Sequence, residues 1–91
     1  MICEICERPI PRQAESRHHL VPKKHGGHKE PVAVVHEVCH KQIHALFDEK
    51  VLARRLNTIE KLIEQHNMQR FIDWVKTKPV QFNPKSRRKT R

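Results

Sequence analysis

The sequence predicts a small α+β domain, in which a hairpin and a helix are held by zinc knuckles and followed by further helices. Three observations carry that prediction. Cys3-x-x-Cys6 and His36-x-x-Cys39 are two short-spaced pairs that use all 3 Cys of the chain. Arg17 to Val21 and Val32 to Val35 are strand-forming runs on either side of Gly26-Gly27, and from Glu37 the apolar spacing becomes helical.

Each element has a local reason. After the first knuckle, Pro9-Ile10-Pro11 takes the chain away in an extended path. Arg17 to Val21 reads as a strand ended by Pro22, and the polar stretch 23–30 with its paired glycines reads as a loop. The β-branched run Val32 to Val35 suits a second strand antiparallel to the first. Val38, Ile43, Leu46 and Phe47 give the next helix one broad apolar face, and His40 and His44, four apart, project from one side of it. Asp48 can cap a helix carrying Val51, Leu52 and Leu56. Asn57, with Glu60 three residues on, reads as a capping box for Ile59, Leu62 and Ile63. Asn67 can cap a last helix whose stripe of Met68, Phe71, Ile72 and Val75 stops near Pro79, and Trp74 beside Phe71 reads as core. The chain thus divides into a core at 1–47, a helical extension at 48–78 that packs on it, and a basic tail at 79–91. Residues 84–91 have no apolar side chain to bury, so disorder without a partner is expected there.

With 91 residues, 36% of them hydrophobic, there is room for one domain with a thin core, and such chains need a staple. Three Cys cannot close a disulfide set, and seven of the 8 His lie between residues 18 and 44, which favours metal. No apolar run approaches the roughly 20 residues of a membrane span, and the N-terminus has no basic leader or apolar signal stretch. A cytoplasmic protein with reduced thiols and no membrane partner is expected. The net charge of +9 points to a polyanion. Five of those nine charges belong to Lys85, Arg87, Arg88, Lys89 and Arg91, leaving +4 for residues 1–84.

The two knuckles together make a Cys3His set of Cys3, Cys6, His36 and Cys39. Four S/N ligands suit tetrahedral Zn²⁺ and leave no catalytic vacancy, so the zinc is expected to be structural. The choice of His36 rests on its spacing. His18 and His19 are neighbours on a strand and point to opposite faces, so one can ligate while the other acts. His40 and His44 are spaced to share one ion.

At these residues the sequence resembles the HNH endonuclease family, whose ββα-metal motif packs a hairpin on a helix around a divalent ion. The matching pieces are Cys3-Glu-Ile-Cys6, Arg17-His18-His19-Leu20-Val21-Pro22-Lys23, the Gly26-Gly27 loop and His36-Glu-Val-Cys39-His40-Lys-Gln-Ile-His44. The resemblance covers residues 3–47. It implies a metal-dependent endonuclease hydrolysing DNA phosphodiester bonds, with a structural zinc between the knuckles. By the same resemblance His18 is a metal ligand, His19 the general base, and His40 and His44 complete the divalent-metal site. Where the family carries its middle Asn, residues 28–35 have none, which leaves His28, Glu30 or a backbone carbonyl for the orienting role.

An imidazole with pKa near ~6.5 suits proton abstraction from water, and a divalent ion suits the developing charge on the leaving oxygen. An all-His site is soft for Mg²⁺ and better matched to Mn²⁺, Ni²⁺, Co²⁺ or Zn²⁺. Phosphate contacts are expected from Arg8, Arg12, Arg17, Lys23, Lys24, Lys29 and Lys41, with Lys85, Arg87 and Arg88 adding non-specific affinity. With no recognition helix or row of stacking aromatics in view, sequence specificity is expected to be weak unless a partner, such as a larger nuclease or phage complex, supplies it. The alternative, from another class, is a zinc-stabilised nucleic-acid-binding module without catalysis. It is motivated by the missing Asn and the basic tail.

Overall fold

The computed structural model describes residues 1–22 and 32–84. Two antiparallel strands, β1 (Glu15–His19) and β2 (Val32–His36), lead into α1 (Glu37–Leu46), followed by α2 (Glu49–Arg54), α3 (Ile59–Ile63) and α4 (His66–Val75). This is the α+β arrangement expected, a ββα unit followed by helices.

The hairpin register pairs Glu15 with His36, His18 with Ala33 and His19 with Val32. β1 therefore begins two residues earlier than its apolar content suggests and ends at His19, before Leu20 and Pro22. A 3-10 turn at Arg12–Ala14 delivers the chain into it. Burial follows the pleat: Ala33 and Val35 are buried, Val34 is half-buried and Val32 exposed. The N-terminal knuckle covers the other edge of β2. Glu4 donates its N–H to the Val34 carbonyl at 3.1 Å, and its carboxylate accepts from the Val34 N–H at 3.2 Å. Those groups of the edge are thus paired within the chain.

β2 passes straight into α1, so His36 closes the strand while Cys39 and His40 stand in the first helical turn. α1 packs on both strands and against α4, and α3 packs on α4. The core joins both halves of the chain: Val35, Ile43, Leu52, Leu62, Met68 and Val75 are fully buried. Each such side chain contributes about 1.5–3 kcal/mol by leaving water.

The helix starts differ from the capping pattern in two places. Asp48 caps α2 as expected, accepting from the Val51 N–H at 2.9 Å. For α3 the cap is Thr58, not Asn57: its hydroxyl accepts from the Lys61 N–H at 3.1 Å, while Asn57 donates back to the Ala53 carbonyl. α4 starts at His66 with Gln65 as an N-cap that makes no side-chain bond, which leaves Asn67 inside the first turn. Residues 79–84 were expected to begin a tail, yet they lie on the core. Phe82 packs against the apolar cluster, and its N–H bonds the Pro79 carbonyl at 2.9 Å. Residues 85–91 lie outside the described residues, as do 23–31. Trp74 is no core residue, being 48% exposed, because it stands on the outer flank of the α4 stripe.

Candidate metal centres

Cys3, Cys6, His36 and Cys39 come together from the N-terminal knuckle, the end of β2 and the first turn of α1, all four fully buried. The Cys3 and Cys39 sulfurs are 3.8 Å apart, the separation that tetrahedral geometry gives two sulfurs at ~2.3 Å from a common ion. Cys6 Sγ lies 3.3 Å from His36 Nδ1. On the outer side of the ring, His36 Nε2 lies 3.0 Å from the Val80 carbonyl, which can only accept. The proton therefore sits on Nε2 and the lone pair on Nδ1 faces the sulfurs, the arrangement that orients a metal-bound imidazole. The Ile5, Cys6 and His36 N–H groups donate to Cys3 Sγ at 3.3 to 3.4 Å and stabilise a thiolate there.

Three thiols crowded into one buried site compete for charge, and the competition leaves Cys3 as well as Cys39 raised. Hydrogen bonds to Cys3 and Cys6, then burial, push the Cys39 thiol up. Hydrogen bonds from Cys3 and Cys39 hold Cys6 well below the usual thiol range. A divalent ion would relieve that competition by balancing the thiolate charges. The four residues form a Cys3His group able to hold a metal ion, and its donor set suits zinc.

A second group lies on the other flank of the hairpin. His18 on β1 and His40 and His44 on α1 place their ring centroids 5.2, 5.3 and 4.9 Å apart, each with a ring nitrogen within 4.8 Å of the others. The strand period and the helix period together produce this. Ser16 and His18 share one strand face, and α1 crosses that face with the side that carries residues 40 and 44. His18 is fully buried, yet neither of its ring nitrogens has a hydrogen-bond partner. A buried imidazole in that state loses the free energy of its water hydrogen bonds unless something ligates it. Burial, followed by His40, His44 and His19, pushes its pKa down to about 4. Burial and His44 also lower His40, against the opposing pull of Glu37. His18 and His40 are thus biased toward the neutral form, the form in which imidazole ligates. His44, exposed, opens the group to solvent.

No family model matches the chain, and no solved structure matches it. Over 78 residues it is 42% identical to YisB of Bacillus subtilis (strain 168), an uncharacterized protein, across 86% of this chain and 76% of YisB. The chain belongs to the YisB family.

The remaining residues singled out in this YisB-family sequence take different positions. His19, half-buried at the end of β1, points to the opposite strand face from His18, but it lies within electrostatic reach of both His18 and His40. Lys41 is exposed beside His40 and His44, lining with Ser16 and Glu37 a cleft of about 230 Å³. Arg17 is exposed on the strand face away from His18. Arg8, expected to contact phosphate, is half-buried against the C-terminal segment. Its Nη1 donates to the Lys78 carbonyl and its Nε is buried, so it pins the C-terminal segment to the zinc knuckle. Lys23, Lys24, His28, Lys29, Glu30, Lys85, Arg87 and Arg88 lie outside the described residues. Sequence reasoning missed Ser16, whose hydroxyl lies 2.7 Å from His40 Nδ1. The signal was present, since Ser16 stands two residues before His18 and so on its face. It also missed the Val80 carbonyl behind His36, for which side-chain patterns carry no signal.

Proposed function

We propose that this YisB-family protein is a small HNH-type, metal-dependent endonuclease that hydrolyses DNA phosphodiester bonds. The observation that carries the reading is the convergence of His18, His40 and His44 on one point with both nitrogens of the buried His18 unpartnered. These three residues would hold a divalent ion of the Mn²⁺, Ni²⁺, Co²⁺, Zn²⁺ or Mg²⁺ series. When bound, that ion supplies Lewis acidity at the phosphate and leaving oxygen.

The chain's own groups divide the rest of the work. His19 accepts a proton from the attacking water as general base. Ser16 fixes the ring plane and tautomer of His40 through the contact at Nδ1. Lys41, on the rim of the cleft, and Arg17, on the outer strand face, neutralise phosphates, while the basic C-terminal residues add salt-sensitive affinity. The Cys3His group, with zinc, anchors the start of α1 and so holds His40 and His44 at their distance from β1.

Supercoiled plasmid incubated with zinc-loaded protein and Mn²⁺, Ni²⁺ or Mg²⁺ tests this. Wild type should nick it, and His19→Ala should lose about 100-fold or more in turnover while binding plasmid as before. Equal cleavage by the two proteins would defeat the assignment. The competing reading is a zinc-stabilised binding module without catalysis, favoured by the lack of Asn in residues 28–35. It requires plasmid binding with no cleavage under any of the three metals.

A further inference from the structure

A second concave surface lies on the far side of α1 from the histidines. It is a groove of about 560 Å³ between α1 and α4, floored by Val38 and Leu46 and walled by Phe71, Trp74 and Phe82, with Arg70 at its rim. The Trp74 and Phe82 rings meet edge to face at 5.7 Å, and Phe71 stands 6.1 Å from Trp74. Trp74 is nevertheless 48% exposed. The volume lies in the range of small-ligand sites and accommodates a flat ring.

Charge narrows the occupant. No carboxylate lines the groove among the described residues and Arg70 stands on it, while the Lys78 ammonium, outside the lining, sits over the Trp74 ring at 5.0 Å and the Phe82 ring at 5.8 Å. Pro84, at the groove's edge, is followed in the sequence by five cations within seven residues. Aromatic faces bordered by cations call for a ligand that is both a flat π system and an anion, which describes a nucleotide better than an apolar peptide. The position fits as well. Lys41 lies between the two surfaces of α1, donating to the Pro84 carbonyl at the groove's edge while lining the histidine cleft. A helix is about 10–12 Å across with its side chains, a distance that a few nucleotides of an extended single strand can cover.

We propose that this groove takes an unpaired nucleobase of single-stranded DNA, stacked on Trp74, while the same strand crosses α1 past Lys41 to the histidine cluster. The inference rests on the nuclease reading for the path of the strand, and it gives that nuclease a preference for unpaired substrate.

Trp74 is the only Trp in a chain without Tyr, so intrinsic fluorescence reports the groove directly. Zinc-loaded His19→Ala protein titrated with oligothymidylate of about eight nucleotides should show saturable quenching, and an abasic oligonucleotide of equal length should not. By anisotropy of a labelled oligothymidylate, Trp74→Ala should bind at least about five-fold more weakly and Trp74→Phe close to wild type. Circular dichroism melts verify that both variants fold, and the comparison of base-bearing with abasic strands on His19→Ala protein keeps the test valid if Trp74→Ala does not. Equal affinity for abasic and base-bearing strands overturns the proposal, as does quenching by an amphipathic peptide but not by DNA. If base-dependent quenching persists and wild type cleaves no DNA, the nuclease reading falls and the base site stands. If wild type cleaves and quenching is absent, the base site alone falls.

Discussion

His18 is the residue on which most of the proposed chemistry turns. Its neutral form is favoured by burial and by three neighbouring imidazoles, which bring its pKa down to about 4, against about 6.5 for an unfolded histidine. With the folded value below the unfolded one, the contribution to stability is full above about pH 6.5 and declines as pH falls toward about 4. NMR titration of the protein without a second ion should find His18 Cε1–H titrating near pH 4, well below the ordinary histidine range. A second residue-scale test concerns Glu7, which follows the first knuckle at φ 62, a left-handed conformation that favours glycine. Its N–H closes the knuckle on the Cys3 carbonyl at 2.9 Å, so the turn cannot relax without disturbing a zinc ligand. Glu7→Gly should raise stability by up to about 1 kcal/mol in chemical denaturation and leave zinc content unchanged. At this scale, the grouping of the candidate ligands was legible because the 3 Cys are few and the Cys and His pairs are regularly spaced. The left-handed turn was not, since nothing in Glu-Arg-Pro signals a positive φ.

Among the elements, the helices of the second half show where local rules compete. Asn57 and Thr58 are both good caps, and the capping-box pattern with Glu60 favours Asn57. The structure starts α3 one residue later, because Asn57 closes the end of α2 by donating to the Ala53 carbonyl. Thr58→Ala should therefore cost about 1 kcal/mol in thermal or denaturant unfolding, more than Asn57→Ala. α1 was the most legible element, with its apolar face, its start after the strand and its paired histidines all set by period. β1 was the least, since its register is fixed by Glu15, Ser16 and Arg17, residues with little apolar content that pair because His36 and Val35 on β2 lie opposite them. Once the strand is known to include Ser16, the pleat puts it on the face of His18.

For the molecule as a whole, the C-terminal strap links the halves. Residues 78–84 supply the Lys78 carbonyl to Arg8, the Val80 carbonyl to His36, the Asn83 side chain to Glu37 at 2.9 Å, and Phe82 to the aromatic groove. A short strap with two prolines and a single charge reads in sequence as a tail, because what holds it is largely backbone carbonyls meeting side chains some 40 to 70 positions away. Ending the chain after Lys78 removes the acceptor that sets the tautomer of His36, so zinc affinity in a chelator competition should fall by about 10- to 100-fold. The chain's thin core makes zinc the larger support, and Cys39→Ser should leave the protein without zinc and without a cooperative melt. One hairpin separates a closed Cys3His group suited to zinc from an open three-histidine group, and each is expected to hold one ion. Native mass spectrometry of zinc-loaded protein supplied with Mn²⁺ or Ni²⁺, before and after mild EDTA, tests it most directly. Two ions before chelation and one after it, with the labile ion lost in His18→Ala, is the expected result. A count that never exceeds one ion under any metal supply would contradict it.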